Sequence, residues 1–396
     1  MGGYLLGIRT RGPPKPANSV NKKPNLVLQA LALWCASSPL KAETPVLGVS
    51  ANPFTGIQDA EILDIANREE LPYYRIQFFG AVGGRVNFAA NCVAPKGRLD
   101  WRLNLLRALN AKRGAESPFV LDAGNTLFDA EHLENVNTLQ RKRAHAILKA
   151  HGVMGVQVQN VGHLDLSAGV DFLRDAAQAA GVELISTNII DAKGKPAFQT
   201  HKFLEIQGQQ LAVFGLTAGT KGKSARVRFL DPRKSLESQL ASVPREIPVV
   251  VLSDLGQNAA RELGTTLQRT MLIIGARQDE SNDLPYLAGK SIIVKTARWG
   301  QQWGTFDFAW RPESETWFSP SIAEYFAPRW DALARELKTG DISLEEVARI
   351  RASADDLLRY APGDLSKKSL YGYGLWDATQ DYSLPNELTP VVEKLK

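Results

Sequence analysis

Short apolar runs that stop abruptly at polar, glycine-containing loops constrain this chain more than any other feature. Phe119–Leu121 ends in Asp122-Ala123-Gly124-Asn125, Gly155–Val158 leads to Asn160-Val161-Gly162-His163, and Glu183–Thr187 ends at Asn188. Pro248–Leu252 and Met271–Ile274 are wholly apolar and give way at once to polar residues. A short run without alternation is a strand buried on both faces, the mark of an interior sheet. Between these runs, Leu99–Leu109, Thr138–Ala150 and Val170–Ala180 have helical spacing. Alternation of this kind predicts a layered α/β domain, and ligands in such domains sit at the strand ends.

The rest of the chain extends that frame. Asp59–Arg68 reads as a short helix and Tyr73–Phe79 as the first strand. Lys202–Ile206 and Gln210–Phe214 flank Gly208 as a hairpin, and residues 219–246 as a loop with one helix. Ser291–Lys295 and Thr305–Trp310 complete the sheet region. After Pro312, Ile322–Leu337 and Ser343–Tyr360 are amphipathic, the second opening on a capping box of Ser343 and Glu346. Tyr371–Trp376 is expected to lie as an aromatic tail on the domain surface.

The N-terminus stands apart. A basic, Gly- and Pro-rich stretch precedes the apolar run Leu26–Ala36, which is followed by Ser37, Ser38, Pro39 and Ala42. This is the pattern of a secretory leader, with an apolar run too short to span a bilayer. Cleavage after Ala42 is the first choice and near Ser37 or Ser38 the alternative; a leader starting near Val20 would have conventional proportions. The expected organisation is a leader at 1–42, an entry segment at 43–72, a layered domain at 73–312 and a helical tail and extension at 313–396. Six basic residues and no acidic one precede Glu43, so the net charge of +5 falls to −1 for the remainder. The basic balance therefore gives no reason to expect a nucleic-acid partner. Without Cys35, Cys92 is the one thiol left, and an internal disulfide framework is excluded.

Over residues 73–310 the order of these loops resembles the 5'-nucleotidase branch of the calcineurin-like metallophosphoesterases. Leu184–Ile189, Gln210–Thr217 and the Gly300 to Gly304 hairpin are similar to that family's strands and turns. The resemblance implies a four-layer α/β/β/α sandwich with a C-terminal helical tail. It also implies two divalent ions held by carboxylate, imidazole and amide ligands aimed from strand ends. At the matching positions most ligands differ. The first strand runs into Phe79-Gly80-Ala81-Val82 without Asp or His. The Gly-Asp motif reads Gly124-Asn125, and Gly-Asn-His-Glu becomes Gly162-His163-Leu164-Asp165. Ser-His becomes Ser253-Asp254, and Gly-Gly-His-x-His becomes Gly275-Ala276-Arg277-Gln278-Asp279. The loop from Asn91-Cys92 to Leu99, with Trp101-Arg102 beyond it, is similar to a Cys-rich loop of exported nucleotidase-like proteins, some of them selenoproteins.

Each candidate has a sharp and a bland reading. Asn125 is a weak metal ligand or a turn residue; His163 is an imidazole ligand or a loop histidine bonded to its neighbours. Asp254 is a cation ligand or the cap of a helix starting near Gln257. Arg277 repels metal and either fills the vacated space or grips an anion, and Asp279 is a ligand or its ion-pair partner. Cys92 is a thiolate, a mixed-disulfide site or a buried apolar residue. His132, His145, His151 and His201 lack ligand spacing and read as solvated or structural.

Three functions follow. The first is an exported protein of this fold that has lost conventional phosphatase chemistry and serves in binding or assembly. The second is a divergent hydrolase of phosphate esters or nucleotides using one divalent metal ion on Asn125, His163, Asp254 and Asp279. The third is a thiol-dependent redox protein centred on Cys92. For a binding protein the partner is a phosphate-containing small molecule or another protein; catalytic candidates are His163, Asp254, Arg277 and Cys92.

Overall fold

The apolar runs become the strands of two stacked sheets. The computed structural model describes residues 60–87, 95–113, 117–130, 135–219, 226–277, 284–338 and 343–395. The leader, Cys92, His132 and Asp279 lie outside them.

The described residues open with α1 (Ala60–Arg68), which buries Ile62 and Ala66 in the central core. Strands β1 (Tyr73–Phe79), β2 (Phe119–Asp122), β3 (Val158–Asn160) and β4 (Leu184–Ile185) then run parallel. They are joined through helices α2 (Leu99–Arg113), α3 (Thr138–Met154) and α4 (Val170–Ala180). A small two-stranded sheet pairs β5 (Ile189–Asp191) with β8 (Val227–Phe229). The hairpin of β6 (His201–Ile206) and β7 (Gln209–Leu216) turns at Gln207-Gly208 and opens the second large sheet. Helices α5 (Pro232–Leu240) and α6 (Gln257–Thr266) alternate with its parallel strands β9 (Val249–Ser253), β10 (Met271–Gly275) and β12 (Ser291–Lys295), while β11 (Tyr286–Ala288) closes the edge. This sheet has the order β11-β12-β10-β9-β7-β6.

β13 (Gln302–Ala309) returns antiparallel to β1. After β14 (Thr316–Phe318), helices α7 (Pro320–Lys338) and α8 (Leu344–Leu358) follow, with the Ser343–Glu346 capping box formed. The aromatic segment expected on the surface is instead a ten-residue strand, β15 (Lys368–Asp377), inserted between β14 and β13. Its aromatics at 371 and 373 alternate with Gly372 and Gly374, the period of a strand, and Tyr371 stacks on Phe306 with ring centroids 5.0 Å apart. A short α9 (Thr389–Glu393) ends the fold against α2, burying Val392.

Alternation sorts the side chains into layers. In β9, Val250 and Leu252 face the first sheet, whereas Val249 and Val251 face α5 and α6. In β2, Phe119 and Leu121 face the second sheet, and Val120 faces the helices. The result is helix, sheet, sheet and helix, as the resemblance implies. Because β1 to β3 are parallel in one sheet and β7, β9 and β10 in the other, their C-terminal ends come to one edge. Among the described residues no helix is long and apolar enough to cross a membrane.

Candidate functional site at the strand ends

Loops from both sheets meet through polar bonds. Asn160, ending β3, donates from Nδ2 to Ala123 O (3.0 Å) and Leu216 O (3.1 Å), which ties the two sheets together. Asn125 follows β2 in a left-handed turn (φ 53°), a conformation asparagine tolerates better than most residues. Its side chain is used at both ends: Nδ2 donates to Ala276 O at 2.9 Å and Oδ1 accepts the Leu164 N–H at 3.1 Å. The approach of the two loops requires Gly162, because a Cβ there would stand 2.3 Å from Asn125 N and Oδ1.

Asp165 lies at the centre of this arrangement, fully buried. Oδ1 accepts the N–H groups of Thr126 and Leu127, both at 2.8 Å, and Oδ2 those of Asn125 (2.9 Å) and Gly162 (3.0 Å). Burial pushes its carboxyl up to about 6, and the four N–H groups hold it from rising further, so it is ionised at neutral pH.

His163 and Asp254 form the second element. Asp254, buried after β9, accepts on Oδ2 both the His163 backbone N–H (2.6 Å) and Nδ1 (2.7 Å). Its Oδ1 accepts the Ala218 N–H. Asp254 does not cap α6, whose N-cap is Gly256 with no side-chain cap, because both its oxygens are committed across the site. The His163 side chain is 16% exposed, and its Nδ1 bond fixes the ring, leaving Nε2 as the second nitrogen. Arg277 follows Ala276 at the end of β10, partly buried and engaged.

Sequence reasoning missed a third cluster on the helix side of the first sheet. Asp122 and its register partner Gln159 lie under His151, whose Nδ1 is 3.7 Å from Asp122 Oδ2 and 3.3 Å from Gln159 Oε1. All three are buried, and among the described residues Asp122 Oδ2 and Gln159 Nε2 have no hydrogen-bond partner. Asp122 Oδ1 accepts from Gly124 N–H (2.9 Å) and Thr126 Oγ1 (2.8 Å). Burial outweighs those donors and pushes its carboxyl up to about 8; it drives His151 down to about 3 and Arg102 down to about 9. A buried carboxyl flanked by a helix histidine leaves no spacing signal in sequence.

No family model and no curated protein matches the chain in sequence. Among solved structures it is similar to a 5'-nucleotidase precursor from Thermus thermophilus, with a TM-score of 0.50 and 17% identity over 61% of this chain and 52% of that one. It is similar also to a 5'-nucleotidase from Candida albicans, at 0.50 and 10% over 82% and 59%, and to the sulfate thiohydrolase SoxB from Thermus thermophilus, at 0.50 and 17% over 60% and 55%. The fold is that of the 5'-nucleotidase-like metallophosphoesterases. The chain spans little more than half the length of these structures, and at such identities the likeness is one of fold.

The metallophosphoesterase fold implies a metal pair, which the donor set can be tested against. Among the described residues no group of three or more His, Cys, Asp or Glu is placed to hold a metal ion. Where a bridging carboxylate is needed, the Asn125 amide is neutral and bonded at both ends. Asp165 faces four N–H donors and Asp254 three. Two adjacent dications need uncommitted anionic oxygen, and these residues do not fit them.

Proposed function

We propose that this is an exported protein of metallophosphoesterase fold whose strand ends serve binding or assembly in place of dinuclear-metal phosphatase chemistry. The observation that carries the reading is Asn125: the residue at the bridging position is a staple between two loops. The leader pattern of residues 1–42 supports export. Metal analysis of the purified chain is expected to find well under one metal ion per molecule. Assays with phosphomonoesters and nucleotides across several divalent ions are expected to show no metal-dependent turnover. Stoichiometric metal together with such turnover would overturn the reading.

Restoring the family's carboxylate is a sharper test. Asn125→Asp removes the donor to Ala276 O and sets two oxygens against each other in a buried place. It is expected to lower stability by roughly 2 kcal/mol or more, the cost of an unpaired buried polar group. Neither metal binding nor turnover should appear. A variant as stable as the parent that takes up metal would show that the site is still a ligand cradle.

The His163–Asp254 pair favours the hydrolase alternative, since a histidine oriented through Nδ1 by a buried carboxylate has the form of a general base. The same assays decide it: turnover lost in His163→Ala would support this reading. The thiol reading rests on Cys92 alone, and an alkylation rate no faster than that of a free model thiol would argue against it.

A further inference from the structure

Beside the strand-end loops lies a cleft of about 180 Å³ between the turn after β1 and the first two turns of α3. Its floor is the backbone of Gly83 and Gly84, both left-handed (φ 62° and 72°), pressed against Leu127; a Cβ on Gly84 would stand 2.7 Å from Leu127 O. Glycine therefore keeps the floor clear of side chains. Arg85 and Arg143 line the walls with Gln140 and Asp129.

The charges are positioned by the fold. The Arg85 carbonyl is fixed by the buried Arg102, whose Nη2 donates to it at 2.7 Å. The Arg85 guanidinium lies 5.3 Å from the Trp299 ring centre and 3.7 Å from the nearly buried Asp129 carboxylate. Arg143 spends Nη2 on Leu395 O, and its buried Nε has no hydrogen-bond partner among the described residues. Two arginines thus line a cleft that holds one carboxylate.

We propose that this cleft binds a small tetrahedral oxyanion of the phosphate class between Arg85 and Arg143. The guanidinium fork suits oxyanions, and a permanent cation offers them charge without metal. The volume is below the 300 Å³ or so of a typical organic-ligand pocket, which suits a free anion or a small phosphate ester. The inference is independent of the strand-end reading, because it uses neither His163 nor Asn125.

The test is titration of the full chain with inorganic phosphate at constant ionic strength, by calorimetry, with chloride as the control salt. Saturable binding near one site per chain is expected, weakened about tenfold or more by Arg143→Gln and by Arg85→Gln, as loss of a charged hydrogen bond implies. Circular dichroism checks folding of both variants. Should Arg143→Gln fail to fold, Arg85→Gln carries the test, its side chain being 41% exposed. An equal response to chloride, or binding unchanged in the folded arginine variants, overturns the proposal. Binding lost in His163→Ala but kept in both arginine variants places the anion at the strand ends and overturns it as well.

Discussion

Asp165→Ala is expected to remove about 4 kcal/mol or more of stability, a large part of the 5–15 kcal/mol available to a typical domain. The carboxylate accepts four backbone N–H groups from two loops, and alanine would leave all of them buried and unpaired. Each such group costs about 1–3 kcal/mol when stranded, reduced where water can enter. Asp165→Asn should fare little better. Each oxygen faces two donors, so either orientation of the amide turns an NH2 toward two N–H groups. Urea denaturation of both variants should show a much lower midpoint with the slope kept. A loss under about 1 kcal/mol in Asp165→Asn would mean that the four bonds are not what holds the loops.

This centre was half legible. The loops announced themselves, since apolar runs ending in Gly and Asn can hardly be anything but strand ends. The sequence marks His163 and Asp254 separately, but their pairing, 91 residues apart in sequence, arises only when two separate sheets stack with their ends aligned. Asp254 looked like a helix cap because Gln257 starts a helix; its oxygens are drawn across the site instead. The sequence leaves Asn125 open between ligand and turn; in the structure it takes a positive φ and donates to Ala276 O.

Locally coded features were readable. The Ser343–Glu346 capping box and the turn at Gly208 need no distant partner. The run at 155–158 misled by a few residues, because Gly155 closes α3 in a left-handed cap before β3 begins at Val158. β15 was missed for a different reason. A strand after two helices, rich in Gly and Tyr, carries no turn signal pointing to β13, and only the open edge of the first sheet gives it a place.

The second large effect separates Asp122 from Asp165. Both are buried, but Asp165 has four donors and Asp122 two, with Oδ2 unpaired. The charged and titratable groups facing Asp122 are His151, driven neutral by burial, the buried Arg102, and the Asp165 carboxylate. Burial dominates and raises the folded carboxyl to about 8, against 3.8 when unfolded. The folded state therefore binds the extra proton between those values. Stability from this group is full below about pH 4 and is lost progressively as the pH rises toward 8. Asp122→Asn removes the titration while its carbonyl oxygen can still accept from Gly124 and Thr126. Its new NH2 takes the place of the unpaired oxygen, facing His151 Nδ1, which accepts in the Nε2–H tautomer. The variant should gain on the parent by about 2–4 kcal/mol between pH 5 and pH 8, most of it above pH 6, in paired denaturation curves. An equal difference at both pH values would show that Asp122 does not titrate in that window. A pH-dependent gain would make the carboxyl a net cost at neutral pH, in contrast to the buried Asp165, which is held ionised by its loops.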